Sequence, residues 1–201
     1  MNELDCTQIT IAVGFGKYYT IRMVYKLNRR PSKKQALLDI AAGIIGSYGF
    51  EALTIDALAK AAGVTKGGVQ YHFVSKDQLI IQLLEHLLNS FDEMLEARPQ
   101  GQTWLEAYVS MLLIPEQDGD RAVASILAAL PPGDPRTSTY EKFSAKWDQA
   151  ATDSGVEVTL AHIVRLATDA LWLERTYSQK PNHDFTNIVH RLLKLIKDNQ
   201  K

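Results

Sequence analysis

The chain has 201 residues, enough for one large helical domain or for a small domain joined to a larger one. Its 46% hydrophobic and 22% charged residues, with no tract of about 18 apolar residues, exclude a disordered chain and a helical membrane span. The formal net charge of -1 is unevenly spread: residues 17–76 carry ten Lys and Arg against three acids, net +7, which leaves -8 elsewhere. A basic front third with an acidic remainder points to a polyanion contact confined to the front. The single cysteine, Cys6, forms no internal disulfide and has no partner at metal-ligand spacing, which fits a reducing cytoplasm and predicts no metal site.

Residues 1–22 contain an apolar stretch from Ile9 to Phe15, preceded by Glu3 and Asp5 rather than by basic residues, and make a poor signal peptide. From Met23 a short basic arm with Arg29 and Arg30 leads toward Pro31 and Ser32, so Met23 reads as a natural start and residues 1–22 as a dispensable extension. A peptide from that extension in the native protein's mass spectrum would overturn this expectation. Strand-like alternation is essentially absent along the chain, and the punctuated segments have helical periodicity.

Ser32 and Gln35 form a capping-box pattern, and Leu37, Ala41, Ile44, Ile45 and Tyr48 share one face before Gly49, predicting a helix over 33–48. Thr54 caps a second short helix to about Ala62, Gly63 ends it, and Thr65 caps a third through about Phe73. Ser75 and Gln78 read as another capping box, opening a long fourth helix that ends near Pro99. Thr103 and Glu106 open a fifth, which stops before Pro115; Asp120 to Leu130 is the sixth. Asp134 and Pro135 suit the cap and first position of a helix to about Asp153. Two strongly apolar helices follow, over about 156–178 and 185–198, parted by Lys180 to Asn182. The expected fold class is therefore all-α with about nine helices. The expected units are an extension and arm over 1–30, a DNA-binding domain over 31–76, and an effector-binding and dimerisation domain over 77–201.

The stretch from Ile55 to Phe73 is the most informative. Two helices crossing steeply over a short turn need a small residue at the crossing, here Ala59, and a glycine free to take positive φ in the turn, here Gly63. Leu58, Val64 and Val69 are expected to form the small core between them. This stretch, continued by Tyr71, His72, Phe73, Ser75 and Lys76, resembles the TetR family of bacterial regulators, most closely over residues 33–84. Gly68 and Gln70 depart from the family's common form: the first removes a side-chain contact and loosens the helix, the second adds an amide able to pair with an adenine edge.

The resemblance implies a cytoplasmic DNA-binding repressor. It implies Thr54, Thr65, Tyr71 and Lys76 as phosphate contacts, and Lys66, Gly67, Gly68, Gln70 and His72 as major-groove candidates, with His72 equally readable as a packed or capping residue. Arg29, Arg30, Lys33 and Lys34 would lie at the duplex edge or be simply solvated. The resemblance further implies a homodimer through the last two helices, whose apolar surface exceeds what one face needs, and a small-molecule effector. Phe91, Met94, Trp104, Tyr108, Met111, Phe143, Trp147, His162 and Trp172 are cavity or ordinary core; Trp104, Tyr108, Trp147 and Trp172 are the chosen ligand contacts, for an apolar or aromatic effector. The five histidines form no metal motif, Gly14 to Lys17 is too short for a phosphate cradle, and no catalytic group or cofactor is expected. The alternative is a helical ligand-binding or protein-interaction module that keeps the motif without operator binding.

Overall fold

The structure, a computed structural model, describes residues 7–13, 17–23, 32–178 and 184–200. Residues 7–13 and 17–23 depart from the helical expectation. Strand β1 (Thr7–Val13) pairs antiparallel with β2 (Lys17–Met23), Thr7 opposite Met23 and Val13 opposite Lys17. The signal was present in the order of residues, since Ile9, Ile11 and Val13 alternate with Gln8, Thr10 and Ala12, a β-branched pattern of period two. Cys6 and the basic arm with Arg29 and Arg30 lie outside the described residues.

From Ser32 onward the described chain is all-α. Helix α1 (Lys33–Tyr48) starts at a reciprocal capping box, in which Gln35 N–H donates to Ser32 Oγ at 3.2 Å and Ser32 N–H to Gln35 Oε1 at 2.9 Å. A 3-10 turn (Phe50–Ala52) leads to α2 (Ile55–Ala62) and α3 (Lys66–Gln70). The long α4 (Lys76–Glu96) follows, then α5 (Trp104–Ser110), which continues as a 3-10 turn, and α6 (Asp118–Ala129). Asp134 caps a 3-10 turn that opens with Pro135, so α7 itself (Ser138–Thr152) begins one turn later than the proline suggested. Helices α8 (Val158–Tyr177) and α9 (Phe185–Asp198) complete the described chain.

Thr103 and Glu106 close the reciprocal box at the start of α5, with Thr103 N–H donating to Glu106 Oε2 at 2.9 Å. At α4 only half of the expected box forms. Gln78 N–H donates to Ser75 Oγ at 3.1 Å, but the Gln78 amide oxygen accepts from Val74 N–H at 2.8 Å, tying down the preceding residue instead of the cap.

One continuous apolar core runs from Leu37 and Ile45 in α1 through Leu83 and Leu84 in α4 to Val189 and Ile196 in α9. Helix α5 is buried on every side, as its run of Trp104, Leu105, Ala107, Tyr108 and Val109 requires. The tightest contact between the front three helices and the rest is α1 against α6. There Gly46 lies so close that a Cβ would stand 2.8 Å from the Asp118 carbonyl oxygen. Arg121 Nε donates to Gly46 O at 3.1 Å and Phe50 N–H to Ser125 Oγ at 3.1 Å, fixing α6 onto the front unit.

Candidate nucleic-acid interface and effector cavity

The turn between α2 and α3 is made by Gly63 in the left-handed region (φ 65°, ψ 29°), where Val64 N–H donates back to Ala59 O at 3.0 Å. Ala59 is buried at the crossing, and Leu58 and Val69 are fully buried. Val64 is not part of this core: it is 46% exposed, because the left-handed glycine swings the chain outward. Phe73 takes the place expected of it, fully buried with Leu53 and Leu79 and held by Phe73 N–H to Val69 O at 2.9 Å. Each such side chain contributes roughly 1.5–3 kcal/mol by leaving water, which rigidifies a very short α3.

The opposite side of the motif carries polar and small groups. Thr54 Oγ1 accepts from Ala57 N–H at 3.0 Å and Thr65 Oγ1 from Gly68 N–H at 3.1 Å, so each hydroxyl is held at a helix start with its own O–H still able to donate outward. Lys66, Gly67, Gly68 and Gln70 are exposed, and Tyr71 is 85% exposed. His72 is half-buried between neighbouring rings, edge-on to Tyr71 at 5.0 Å and tilted against Phe73 at 6.2 Å, so it stands behind Tyr71 rather than free on the surface. Both candidate lysines have internal partners: Lys66 Nζ is 3.0 Å from Asp56, and Lys76 Nζ is 3.8 Å from Glu51 and 4.8 Å over the Phe50 ring. Such exposed pairs are worth about 0–1 kcal/mol and yield readily to a phosphate. Lys33 and Lys34 are exposed at the start of α1.

Among the described residues a cavity of about 980 Å³ lies between α1, α4, α5, α6, α7 and α8. Tyr108, Trp147 and Trp172 line it, with Phe91, Met94 and Met111. Trp104 does not reach the wall; it stacks behind Tyr108 at 4.8 Å, and its indole Nε1 is buried without a partner. Phe143 backs Trp147 at 5.7 Å, and His162 is exposed on the outer side of α8. Phe91 is edge-to-face with both Tyr108 and Trp147, which tilt against each other, the centroids lying 5.3–6.1 Å apart.

The polar part of the wall was not foreseen. Tyr108 O–H donates to Asp169 Oδ1 at 2.5 Å, and Asp169 Oδ2 is 3.6 Å from the buried Arg165, which also reaches Asp148 at 3.0 Å and Ser144 Oγ at 2.9 Å. Burial pushes the Asp169 carboxyl above its ordinary value, opposed by the Tyr108 bond and by Arg165. Burial, then the nearby Asp169, raises Tyr108 and Tyr140 as well. Trp172 Nε1 donates to Asp120 Oδ1 at 3.3 Å, while Asp120 Oδ2 accepts from Gln117 N–H at 2.8 Å. A weak signal for Asp169 existed in the order of residues: an acid four positions after Arg165 inside an apolar helix.

A helix-turn-helix head on a larger helical body with a cavity among its helices is the build of a bacterial one-component regulator. Family models match both parts: residues 37–83 fit the bacterial regulatory proteins of the tetR family, and residues 102–197 fit a tetracyclin repressor-like C-terminal domain. The chain belongs to the TetR family of transcriptional regulators. It is 30% identical over 107 residues to the HTH-type transcriptional regulator BetI of Rhizobium meliloti (strain 1021), a match covering 51% of this chain and 53% of that protein. The chain thus spans about half the length of that curated relative. The fold is shared with a transcriptional regulator from Rhodococcus sp. Rha1 (TM-score 0.69, 21% identity, 83% of this chain and 97% of that one). It is shared too with AibR, solved in complex with isovaleryl coenzyme A and operator DNA (TM-score 0.57, 19% identity, 82% and 97%).

Proposed function

We propose that this protein is a homodimeric, effector-released repressor that binds a palindromic operator through α3. The observation that carries the proposal is the division of the α2–α3 motif into two sides: Leu58, Val69 and Phe73 are sealed in the core, while Thr65, Lys66, Gly67, Gly68, Gln70 and Tyr71 are exposed together. Residues 31–76 are the DNA-reading unit and 77–201 the effector and dimer unit. Thr54, Thr65, Tyr71 and Lys76 hold phosphates, while Lys66, Gln70 and the small Gly67 and Gly68 let α3 approach the major groove, with His72 supporting Tyr71.

The dimer uses α8 and α9. Thr159, Ile163, Leu166, Ala170, Leu173 and Tyr177 recur at alternating four- and three-residue steps and are all exposed, a seam of the kind that four-helix bundles bury. Leu195 on α9 is exposed beside the half-buried Ile188 and Leu192. Two heads in such a dimer must fit half-sites roughly 34–36 Å apart. An apolar or aromatic effector held by Tyr108, Trp147 and Trp172, in front of Trp104, shifts that spacing through α4 and α6; a coupling of about 1–3 kcal/mol changes operator affinity roughly 5–150-fold. AibR, which shares this fold, is known with both a small molecule and operator DNA. The test is binding to duplexes from the gene's own promoter region. A palindromic duplex should bind with steep salt dependence; binding no tighter than to unrelated DNA overturns the proposal.

A further inference from the structure

The charges on the cavity wall are lopsided. Asp39, Asp118, Asp120 and Asp169 all line it, against His86 and Arg175. Of the two cationic side chains, one faces an aspartate and the other meets only neutral groups. His86 Nε2 faces Asp39 Oδ1 at 2.8 Å. Arg175 Nη1 donates to the Leu112 and Ile114 carbonyls, each at 2.8 Å, and its Nε is sealed from solvent without a partner. Of the aspartates, Asp118 is ion-paired with Arg121 and Asp169 shares Arg165 with Asp148. Asp120 accepts only from neutral N–H donors, the Trp172 indole and the Gln117 backbone. Its carboxylate is a negative charge on the wall with no cation against it among the described residues.

The start of α6 also borders the cavity, through Gln117, Asp118, Gly119 and Asp120. A bare helix start would welcome an anion, but here two carboxylates already occupy the first turn and would repel one. Much of the remaining wall is aromatic: Phe91 and Trp147 pack on Tyr108, the hydrogen-bond partner of Asp169, and Trp172 donates to Asp120. Aromatic faces attract a desolvated positive charge, and an adjacent carboxylate compensates for the water it loses.

We infer that the cavity selects a bulky organic cation, its charge set between Asp120 and Asp169 and its apolar groups against Phe91, Trp147 and Trp172. This inference rests on the cavity being the effector site, as proposed above. It ranks carboxylates and acyl-coenzyme A thioesters below cations as the cognate class, because four aspartates line the wall against His86 and Arg175.

The test uses the full chain and three probes measured by calorimetry: tetraphenylphosphonium, the neutral triphenylphosphine oxide, and isovaleryl coenzyme A. Operator binding by the unliganded protein is measured alongside. The cation should bind at least tenfold tighter than the neutral probe, with quenching of tryptophan fluorescence. Asp120→Asn should cut cation affinity at least fivefold and leave the neutral probe unchanged. Because Asp120 also caps α6, Asp169→Asn is the second reading of the same charge; it keeps the Tyr108 acceptor and should lower cation affinity in the same way. Equal or tighter binding of the neutral or anionic probe overturns the inference while leaving the cavity as the effector site. Binding of no probe overturns it too, and operator binding then decides the regulator reading by itself.

Discussion

Two glycines in α1 provide a direct test of how the front unit is joined to the body. Gly43 and Gly46 both occupy the helix interior, so alanine at either gains roughly 0.5–1 kcal/mol of helix propensity. Their surroundings differ. A Cβ at Gly43 would meet nothing closer than Asp118 Oδ2 at 3.9 Å, an ordinary contact. A Cβ at Gly46 would stand 2.8 Å from Asp118 O, 3.3 Å from its Cα and 3.4 Å from its carbonyl carbon, all backbone atoms that cannot rotate away. Helix α6 must therefore retreat, stretching the 3.1 Å bonds from Arg121 to Gly46 O and from Phe50 to Ser125. Overpacking of this kind costs about 1–3 kcal/mol, which outweighs the propensity gain. The net loss is up to about 2.5 kcal/mol, and for a chain of this size 1 kcal/mol moves Tm by about 2–4 °C, so Gly46→Ala should melt lower than the parent by up to about 10 °C and Gly43→Ala slightly higher. Thermal unfolding followed by circular dichroism on both variants checks this. If Gly46→Ala is stabilised as much as Gly43→Ala, the close approach of α1 and α6 is wrong.

Lys76→Ala should lower the slope of log affinity against log salt for operator DNA by about 1, since one phosphate contact is lost, and weaken all duplexes alike; a change confined to one sequence would assign Lys76 to base reading instead. Leu166→Glu, at a position 59% exposed in the single chain, should leave the fold intact and shift the protein to monomers in analytical ultracentrifugation, with operator affinity lost along with the dimer. Asp169 supplies a pH test with a definite sign. Its folded carboxyl lies above the ordinary 3.8, so the fold favours the protonated form, and stability falls as pH rises from there through the raised value. The Tm of Asp169→Asn relative to the parent should move in the variant's favour across that window; movement the other way would mean that Arg165 outweighs the burial of the charge.

The helical outline was legible because its signals are local. The bonds that the Ser32, Thr54, Thr65 and Thr103 hydroxyls accept from backbone N–H groups three residues ahead depend on little beyond their own turns. What failed depended on direction in space. Val64 and Val69 are both apolar and five residues apart, yet a left-handed glycine turns one outward and seals the other. Trp104 and Tyr108 share a helical face at a spacing of four, but the stack places only Tyr108 at the cavity. His162 sits between the buried Ala161 and the exposed Ile163, and only the packing of α8 decides that it faces out. Gln78 found Val74 rather than Ser75 because two backbone amides compete for one flexible side chain. The carboxylates of the cavity were hidden by a second meaning: Asp120 reads as a helix-start residue, and is one, while the same side chain faces the Trp172 indole from another helix.

That double service bears on how a ligand signal could leave the cavity. The first turn of α6 contributes Asp118, Gly119 and Asp120 to the wall, and the Asp118 backbone is also the surface on which Gly46 rests. Arg121, on the same turn, binds Gly46 O, Asp118 and Glu116 together. A ligand that draws on the Asp120 carboxylate therefore acts within one helical turn of the α1 contact, and no side-chain relay is needed between them. The seam tolerates little sliding, since glycine is already the smallest residue it could hold. On the proposed reading, a sub-ångström displacement of α6 by an effector passes to α1 through this contact. Because Leu38 and Ile45 of α1 belong to the same core as Leu58 of α2 and Phe73 after α3, the proposed coupling moves the α2–α3 motif with α1 as one packed unit.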